Sequence, residues 1–323
     1  MMTFKEFVGY IEGRLSEDQP GVWTFEQKEV EKLNDAYDAL IIHHKDSPNT
    51  GISLDPMPFY EEYEGGTSLD EVYVLLAQTV DSSASSLAEQ EKIGDSVKDY
   101  EIAKEHFQIR LFNKDFTNPD YVNNVPYLDR GELAISVCCV FPRSEGAATV
   151  TVTKDLMMHY GIDQDQLFTD AFENSPKNMP LKVTGITGII KEIDPSVETP
   201  DLGVDEPLVI SGESNLYGAA VLFYEDTPEK VAKLIGGDYY LIPSSVHEWI
   251  VTPDRFYPDN NPVPKIEEMI RSINIAEVLP KDRLSDRAYH YDSKEKVIEL
   301  ASDYIERTSR DKGSKGLSIG DDT

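Results

Sequence analysis

The chain has 323 residues, 40% hydrophobic and 28% charged, an ordinary balance for a folded protein that builds its own core. Its charge is unusual, because 60 acidic residues against 30 basic ones leave a formal net charge of −30. Over roughly 13,000 Å2 of surface this is about one net negative charge per 450 Å2, a field that repels nucleic acid and anionic membranes. The acids are spread along the chain without a long block, which reads as a solubilising coat. Concentrated on one face, they would instead suit an acidic decoy that mimics nucleic acid. Cys138 and Cys139 are adjacent and point to opposite sides of a strand, so no ordinary disulfide joins them. With no CxxC pair, a thiolate zinc site is excluded. The N-terminus lacks the basic start and apolar core of a signal peptide. No apolar run approaches the ~20 residues of a membrane helix. The expectation is a cytoplasmic, reducing location with no membrane contact.

In chain order, Phe4, Phe7, Val8, Ile11 and Leu15 recur at helical spacing and predict an amphipathic helix that ends at Pro20-Gly21. Trp23 and Phe25 alternate with polar residues, and ALIIHH (Ala39–His44) and TGISLDP (Thr50–Pro56) follow. With Asn34-Asp35 as a turn signal, this reads as an antiparallel meander from Val22 to Leu54. Pro56 to Gly66 is a short acidic turn or helix. Ser68 caps a longer helix through Leu69, Val72, Leu75, Leu76 and Val80; Glu71 falls at the capping-box position, but with Asp70 before it the box reads as imperfect. The serine-rich run after it reads as a fraying end or linker. A second helix is expected from Asp95 to Asn113, with Tyr100, Ala103, Phe107 and Leu111 on one side. Two strands follow, LAISVCCVF (Leu133–Phe141) and ATVTVT (Ala148–Thr153). Asp155 starts a helix, Gly161 turns the chain and Asp163 caps the next helix, where Asp163 and Asp165 suit the helix dipole better than a calcium loop. Met179 to Ile193 predicts an imperfect helix interrupted by Gly185 and Gly188, and Pro195 to Pro207 a connector.

After a strand at Leu208–Ser211, the stretch Asn215 to Pro253 reads as strand, helix, strand, turn, strand. LYGAAVLFY (Leu216–Tyr224) is a buried-type run. Thr227-Pro228 starts a short helix with Val231, Leu234 and Ile235 on its apolar side, and Gly236-Gly237 ends it. YYLIP and HEWIV are strand sequences, with Pro243-Ser244-Ser245 as the break between them. Arg255 to Pro264 is a loop. Lys265 to Val278 is a helix with Ile266, Met269, Ile270 and Ile273 on one face. AYHYDS and KVIEL read as a closing pair of short strands, or as a strand and then a helix toward Ile305, and the tail from Thr308 has little to bury and is expected to be disordered.

The chemistry worth weighing centres on Ser245 and His247. In an extended strand they share a face, roughly 7 Å apart at the backbone, which permits a hydrolase-like nucleophile and base. Glu248 then faces away and cannot orient the imidazole, and there is no Gly-x-Ser-x-Gly elbow. The competing reading has the serines satisfying the turn after Pro243 and His247 making a structural hydrogen bond. His43 and His44 are neighbours in a strand and face apart, and neither His106 nor His159 has the helical partner of a metal pair. Gly236-Gly237 and the Gly185/Gly188 pair fit no phosphate loop. Neither cofactor nor metal is expected.

Three segments together resemble an uncharacterised bacterial family, a domain of unknown function found mainly in Gram-positive gut anaerobes. The first is LAISVCCVF followed by GAATVTVTKDLMMHYGIDQDQLFTDAFENSP. Here Tyr160 precedes Gly161 where the family shows a tryptophan or similar residue, and Asn174-Ser175-Pro176 replaces its Asn-Thr-Pro. The second is LYGAAVLFY. The third is GGDYYLIPSSVHEWIV (Gly236–Val251), followed by LSDRAYHYD (Leu284–Asp292). The resemblance brings no activity. The co-occurrence of these motifs implies that LSDRAYHYD lies beside the His247 strand, where Arg287 and His290 are candidate binding residues of a small cleft. The bland alternative for that patch is a strand end with an arginine–carboxylate pair.

The sequence therefore predicts an α+β protein with antiparallel strand pairs and a small N-terminal meander packed with amphipathic helices. The expected parts are residues 1–95, a main part 96–307 and a tail 308–323. The leading functional reading is a non-enzymatic cytosolic protein that binds or regulates an unknown protein partner, without direct nucleic-acid contact. The alternatives are the hydrolase-like enzyme and the acidic decoy.

Overall fold

A computed structural model describes residues 2–316 apart from 33–34, 46, 86, 144–145, 194–195, 197–205, 215 and 259–260. It is an α+β protein with antiparallel sheets. The chain divides into two compact units, Met1–Ala103 with Phe141–Val150, and Lys104–Val140 with Thr151–Thr323.

In the first unit, α1 (Phe4–Asp18) precedes the meander β1 (Trp23–Lys32), β2 (Asp35–His44) and β3 (Ser47–Leu54). Then come α2 (Met57–Glu64), α3 (Leu69–Ser85), α4 (Leu87–Lys98) and the single turn α5 (Tyr100–Ala103). The strands pair in chain order, with Trp23 opposite His44 and Leu40 opposite Leu54. Phe7, Ile11, Leu40, Ile42, Leu76 and Val80 form one core. Burying each such side chain contributes roughly 1.5–3 kcal/mol. Asn34 of the expected turn lies outside the described residues. The capping box at Ser68 is complete: Glu71 N–H donates to Ser68 Oγ at 3.3 Å, and Ser68 N–H to Glu71 Oε2 at 3.2 Å. The serine-rich run expected to fray is helical at Leu87–Lys98 and up to Ser85.

The expected helix over Asp95–Asn113 is overturned. It ends at Ala103, and β4 (Phe107–Asn113) is a strand with every residue buried. Phe107 and Leu111 fit a helix face, but Phe107, Ile109 and Leu111 also alternate at period two, and tertiary burial selects the strand. Next come α6 (Pro119–Asn124), β5 (Leu128–Arg130), β6 (Leu133–Pro142), β7 (Ala147–Thr151), α7 (Lys154–Tyr160) and α8 (Gln164–Asn178). Asp163 caps α8 as expected, accepting Gln166 N–H at 2.9 Å. The antiparallel order β4-β6-β5 leaves β4 an outer neighbour for α8. There the Asn174-Ser175-Pro176 motif has a structural use: Ser175 Oγ accepts Ile109 N–H at 2.8 Å, and Asn174 Nδ2 donates to Lys104 O at 2.9 Å. Ser175 thus occupies a backbone group of the strand edge that would otherwise invite pairing, and Asn174 ties down the turn that leads into β4.

The Met179–Ile193 helix is also only partly right, since β8 (Leu181–Gly185) precedes α9 (Ile186–Ile193). The connector expected at Pro195–Pro207 lies largely outside the described residues. Further along are β9 (Leu208–Gly212), α10 (Thr227–Ile235), β10 (Tyr239–Ser245), β11 (Glu248–Pro253), α11 (Val263–Ala276), β12 (Tyr289–Asp292), β13 (Val297–Leu300) and α12 (Ala301–Gly316). The second sheet runs β13-β12-β10-β11-β9-β8, with antiparallel neighbours throughout. Helix α12 extends through the first part of the segment expected as a disordered tail, and residues 317–323 lie outside the described ones.

LYGAAVLFY is not a strand. Gly218–Phe223 is a 3-10 turn whose Gly218, Ala219, Ala220, Val221 and Leu222 are buried. Its small residues let backbone enter the core, and Trp249 Nε1 donates to Ala219 O at 2.9 Å to satisfy one of the carbonyls carried in. The helix after it is capped at Asp226, one residue earlier than expected, with φ 62° and no side-chain cap bond. Leu234 points out at 61% exposure, whereas Val231 and Ile235 are buried. On α11, Ile266 and Ile270 are buried while Met269 and Ile273 flank the contact and stay exposed.

Candidate functional site

Both histidine-bearing motifs sit on the sheet built around β10. Tyr239 pairs with Pro253 and Ile242 with Ile250, and the two strands close through Val246-His247. The hairpin turn is therefore two residues later than the Pro243-Ser244-Ser245 break expected from sequence. Those three residues remain in β10, and Ser244 is the extra residue of a bulge between Pro243 and Ser245. Proline, which has no N–H for the ladder, suits such an irregularity.

This shift places His247 in the turn rather than on the strand face shared with Ser245. Ser245 Oγ accepts the His247 backbone N–H at 3.1 Å. The imidazole faces elsewhere: Nδ1 accepts Tyr217 N–H at 3.0 Å, and Nε2 lies 3.5 Å from Asp282 Oδ1. The Tyr217 bond assigns the proton to Nε2 and occupies the lone pair that a general base would use. Ser211 Oγ donates to His247 O at 2.9 Å, and Val246 N–H donates to Asp282 O at 2.8 Å. Ser244 Oγ donates to Glu248 Oε1 at 3.1 Å. Serine and histidine here stitch the hairpin to β9, to the turn at Tyr217 and to the Asp282 loop, with no nucleophile–base pair between them.

The LSDRAYHYD segment meets this sheet at the other end. Strand β12 pairs with Tyr239–Leu241 of β10, so Tyr240 faces His290, and it is Asp282, ahead of the motif, that reaches His247. Arg287 and His290 therefore do not line a cleft with His247. Arg287 donates to Ser302 Oγ at 3.1 Å, and the arginine–carboxylate contacts at this edge belong to Arg307, at 2.8 Å from Asp292 and 2.5 Å from Glu299. Burial works against the charged form of Asp292, but the Arg307 guanidinium and the Glu295 and Lys294 N–H groups hold its carboxyl below the usual carboxylate range. Ser285 and Tyr289 of the motif both donate to Glu132, at 2.5 and 2.6 Å.

His290 is fully buried and lies between Tyr240, whose ring meets it edge-on at 4.8 Å, and Tyr304, stacked on it at 3.6 Å. Asp238, just before β10, and Asp254, just after β11, face each other across the open end of the hairpin. The Asp254 N–H donates to Asp238 O at 3.0 Å. Asp254 Oδ1 lies 3.8 Å from His290 Nε2. No local spacing links these three residues. They could be found in sequence only after the hairpin centre was placed at Val246-His247, which brings positions 238 and 254 opposite one another.

A second group missed from sequence surrounds Arg110 on β4. Its guanidinium is buried, donates to Tyr121 Oη and, at 3.1 Å, to Thr151 Oγ1, and lies 4.8 Å from the Tyr217 ring centre. Cys138 and Cys139 are free and buried. Burial raises both thiols, Cys139 to about 12. Neither is a reactive nucleophile at neutral pH. A separate cleft of about 840 Å3 is lined by Phe172, Pro176, Phe223 and Tyr224, where the Tyr224 hydroxyl donates to Ser175 O and Met179 O.

These features define an α+β protein of two compact units, the second organised on a six-stranded antiparallel sheet with aromatic-flanked polar groups at both ends of its central hairpin. A family of unknown function, DUF5688, matches residues 4–293, and the chain belongs to that family. No curated protein and no solved structure matches it.

Proposed function

We propose that this protein acts in the bacterial cytoplasm as a non-enzymatic interaction or regulatory protein, in the Gram-positive gut anaerobes that its sequence resemblance suggests. The observation that carries this reading is the engagement of His247. Its Nδ1 accepts Tyr217 N–H, and Ser245 Oγ accepts the His247 backbone N–H, so hydrolase-like chemistry finds no base at the Ser245/His247 pair. The net charge of −30 favours a partner with a basic surface, whose association would be fast and salt-sensitive. Two buried, unpaired cysteines suit a reducing compartment. Among the described residues no helix is long and apolar enough to cross a membrane.

The test combines turnover with capture. Wild type, Ser245→Ala and His247→Ala are assayed against ester, peptide and phosphoester substrates, and each is used to capture partners from the native host at low and high salt. The expected result is no turnover and one basic protein partner, retained by all three proteins and released by salt. Turnover by the wild type that disappears in both variants overturns the reading in favour of the hydrolase.

A further inference from the structure

We propose that Asp238, Asp254 and His290 form a site for one divalent transition-metal ion of the Zn2+ or Mn2+ class, with water completing its coordination. One donor atom from each residue lies within 4.8 Å of the other two. The 3.8 Å between His290 Nε2 and Asp254 Oδ1 exceeds the roughly 3.2 Å limit of a good hydrogen bond. It matches two ligands that each sit about 2.0–2.2 Å from a common ion.

His290 supplies the independent observation. Its side chain is 0% exposed, and among the described residues neither ring nitrogen has a hydrogen-bond partner. A folded core rarely leaves a buried imidazole unsatisfied, and this one presents Nε2 to Asp254 and a ring nitrogen within ligand reach of Asp238. The charge pattern agrees. Strand pairing sets Asp238, Asp292, His290 and Glu299 on one side of the sheet end, beside Asp254. Arg307 engages Asp292 and Glu299, while Asp238 and Asp254 share His290. A divalent cation would balance that second pair.

The surroundings also hold the donors in place, as the outer groups of a metal site do. Asp238 Oδ1 accepts the Ser293 N–H at 2.9 Å and hydroxyl at 2.5 Å, leaving Oδ2 for a ligand bond. The stacked Tyr304 ring, inclined by 14°, fixes the imidazole plane. One imidazole nitrogen and two carboxylate oxygens suit zinc, manganese or cobalt, whereas calcium prefers six to eight oxygens. The Asp254 side chain is 37% exposed, which gives an ion a way in and leaves coordination positions to water. Bound there, the ion would tie together the ends of β12, β10 and β11.

The full chain, freed of metal with chelator, is titrated with Zn2+ by calorimetry and with Co2+ by visible absorption. One equivalent is expected to bind with a single affinity. Asp238→Asn and Asp254→Asn should each weaken it at least about tenfold with unchanged circular dichroism, while Glu295→Gln on the neighbouring turn leaves it intact. Because His290 is buried and its replacement risks misfolding, its ring is followed in wild type by long-range 1H–15N NMR, where Zn2+ should shift Nε2. Equal Zn2+ affinity in the Asp238→Asn/Asp254→Asn double variant would mean diffuse binding by the acidic surface and overturn the proposal. So would an Nε2 signal that does not respond to Zn2+.

Discussion

Gly218→Ala tests the reading of the buried 3-10 turn. A Cβ at this position would lie 2.4 Å from Gly212 N, 2.5 Å from Ser211 Oγ and 2.6 Å from His247 O. Favourable carbon contacts sit near 3.5–4.0 Å, so each approach is short by about 1 Å. Two of the three atoms are backbone, in β9 and in the β10–β11 turn, and cannot swing aside like a side-chain tip. Relief requires moving the turn, which strains the bonds from Ser211 Oγ to His247 O and from Trp249 Nε1 to Ala219 O. Overpacking costs about 1–3 kcal/mol and each weakened hydrogen bond about 0.5–1.5 kcal/mol, for a total near 4 kcal/mol. At about 2–4 °C per kcal/mol, the unfolding midpoint of this unit should fall by roughly 8–16 °C. The two tryptophans allow a selective assay, since Trp23 lies in the first unit and Trp249 in the second. In a Trp23→Phe background, urea unfolding followed by fluorescence reports the second unit alone. Gly9→Ala in α1, where an added Cβ meets nothing within 4 Å, is the control; followed through Trp23 in a Trp249→Phe background, it should stabilise the first unit by about 0.5–1 kcal/mol. A loss below about 1 kcal/mol for Gly218→Ala would refute the account of the turn as backbone wedged between β9 and the hairpin.

Two further outcomes follow from local chemistry. Ser68→Ala removes the reciprocal cap with Glu71 and should destabilise the first unit by about 1 kcal/mol, measured through Trp23 in a Trp249→Phe background; Ser68→Asp should restore most of it. The native protein should not react with a thiol reagent at pH 8, whereas both cysteines should react in denaturant. Cys139 is raised to about 12 in the fold against about 8.5 when unfolded, so its contribution is fully present below pH 8.5 and is lost progressively as pH rises from there toward 12. Stability that rose with pH across that window would contradict the burial of the thiol.

Local pattern alone was enough to read much of this protein. The apolar spacing of Phe7, Ile11 and Leu15, the Asp163 and Ser68 caps, the Gly236 stop and the strand run Leu133–Phe141 each carry their cause within a few neighbouring residues. The α+β class follows from those same signals. Tertiary structure decided the segments whose pattern is compatible with two outcomes. Phe107–Asn113 suits either period until α8 and its own sheet bury both faces, and LYGAAVLFY is apolar enough for a strand but folds as a 3-10 plug because its backbone polar groups find partners in β11 and the hairpin turn. The site at the sheet end belongs wholly to this second class. Asp238, Asp254 and His290 are separated by 16 and 36 positions in the chain, and only the register of three antiparallel strands brings their donor atoms together. A two-residue change in where the hairpin turns moved His247 off the strand face and set those aspartates opposite each other, because strand pairing carries a displacement at the turn to every residue along both strands.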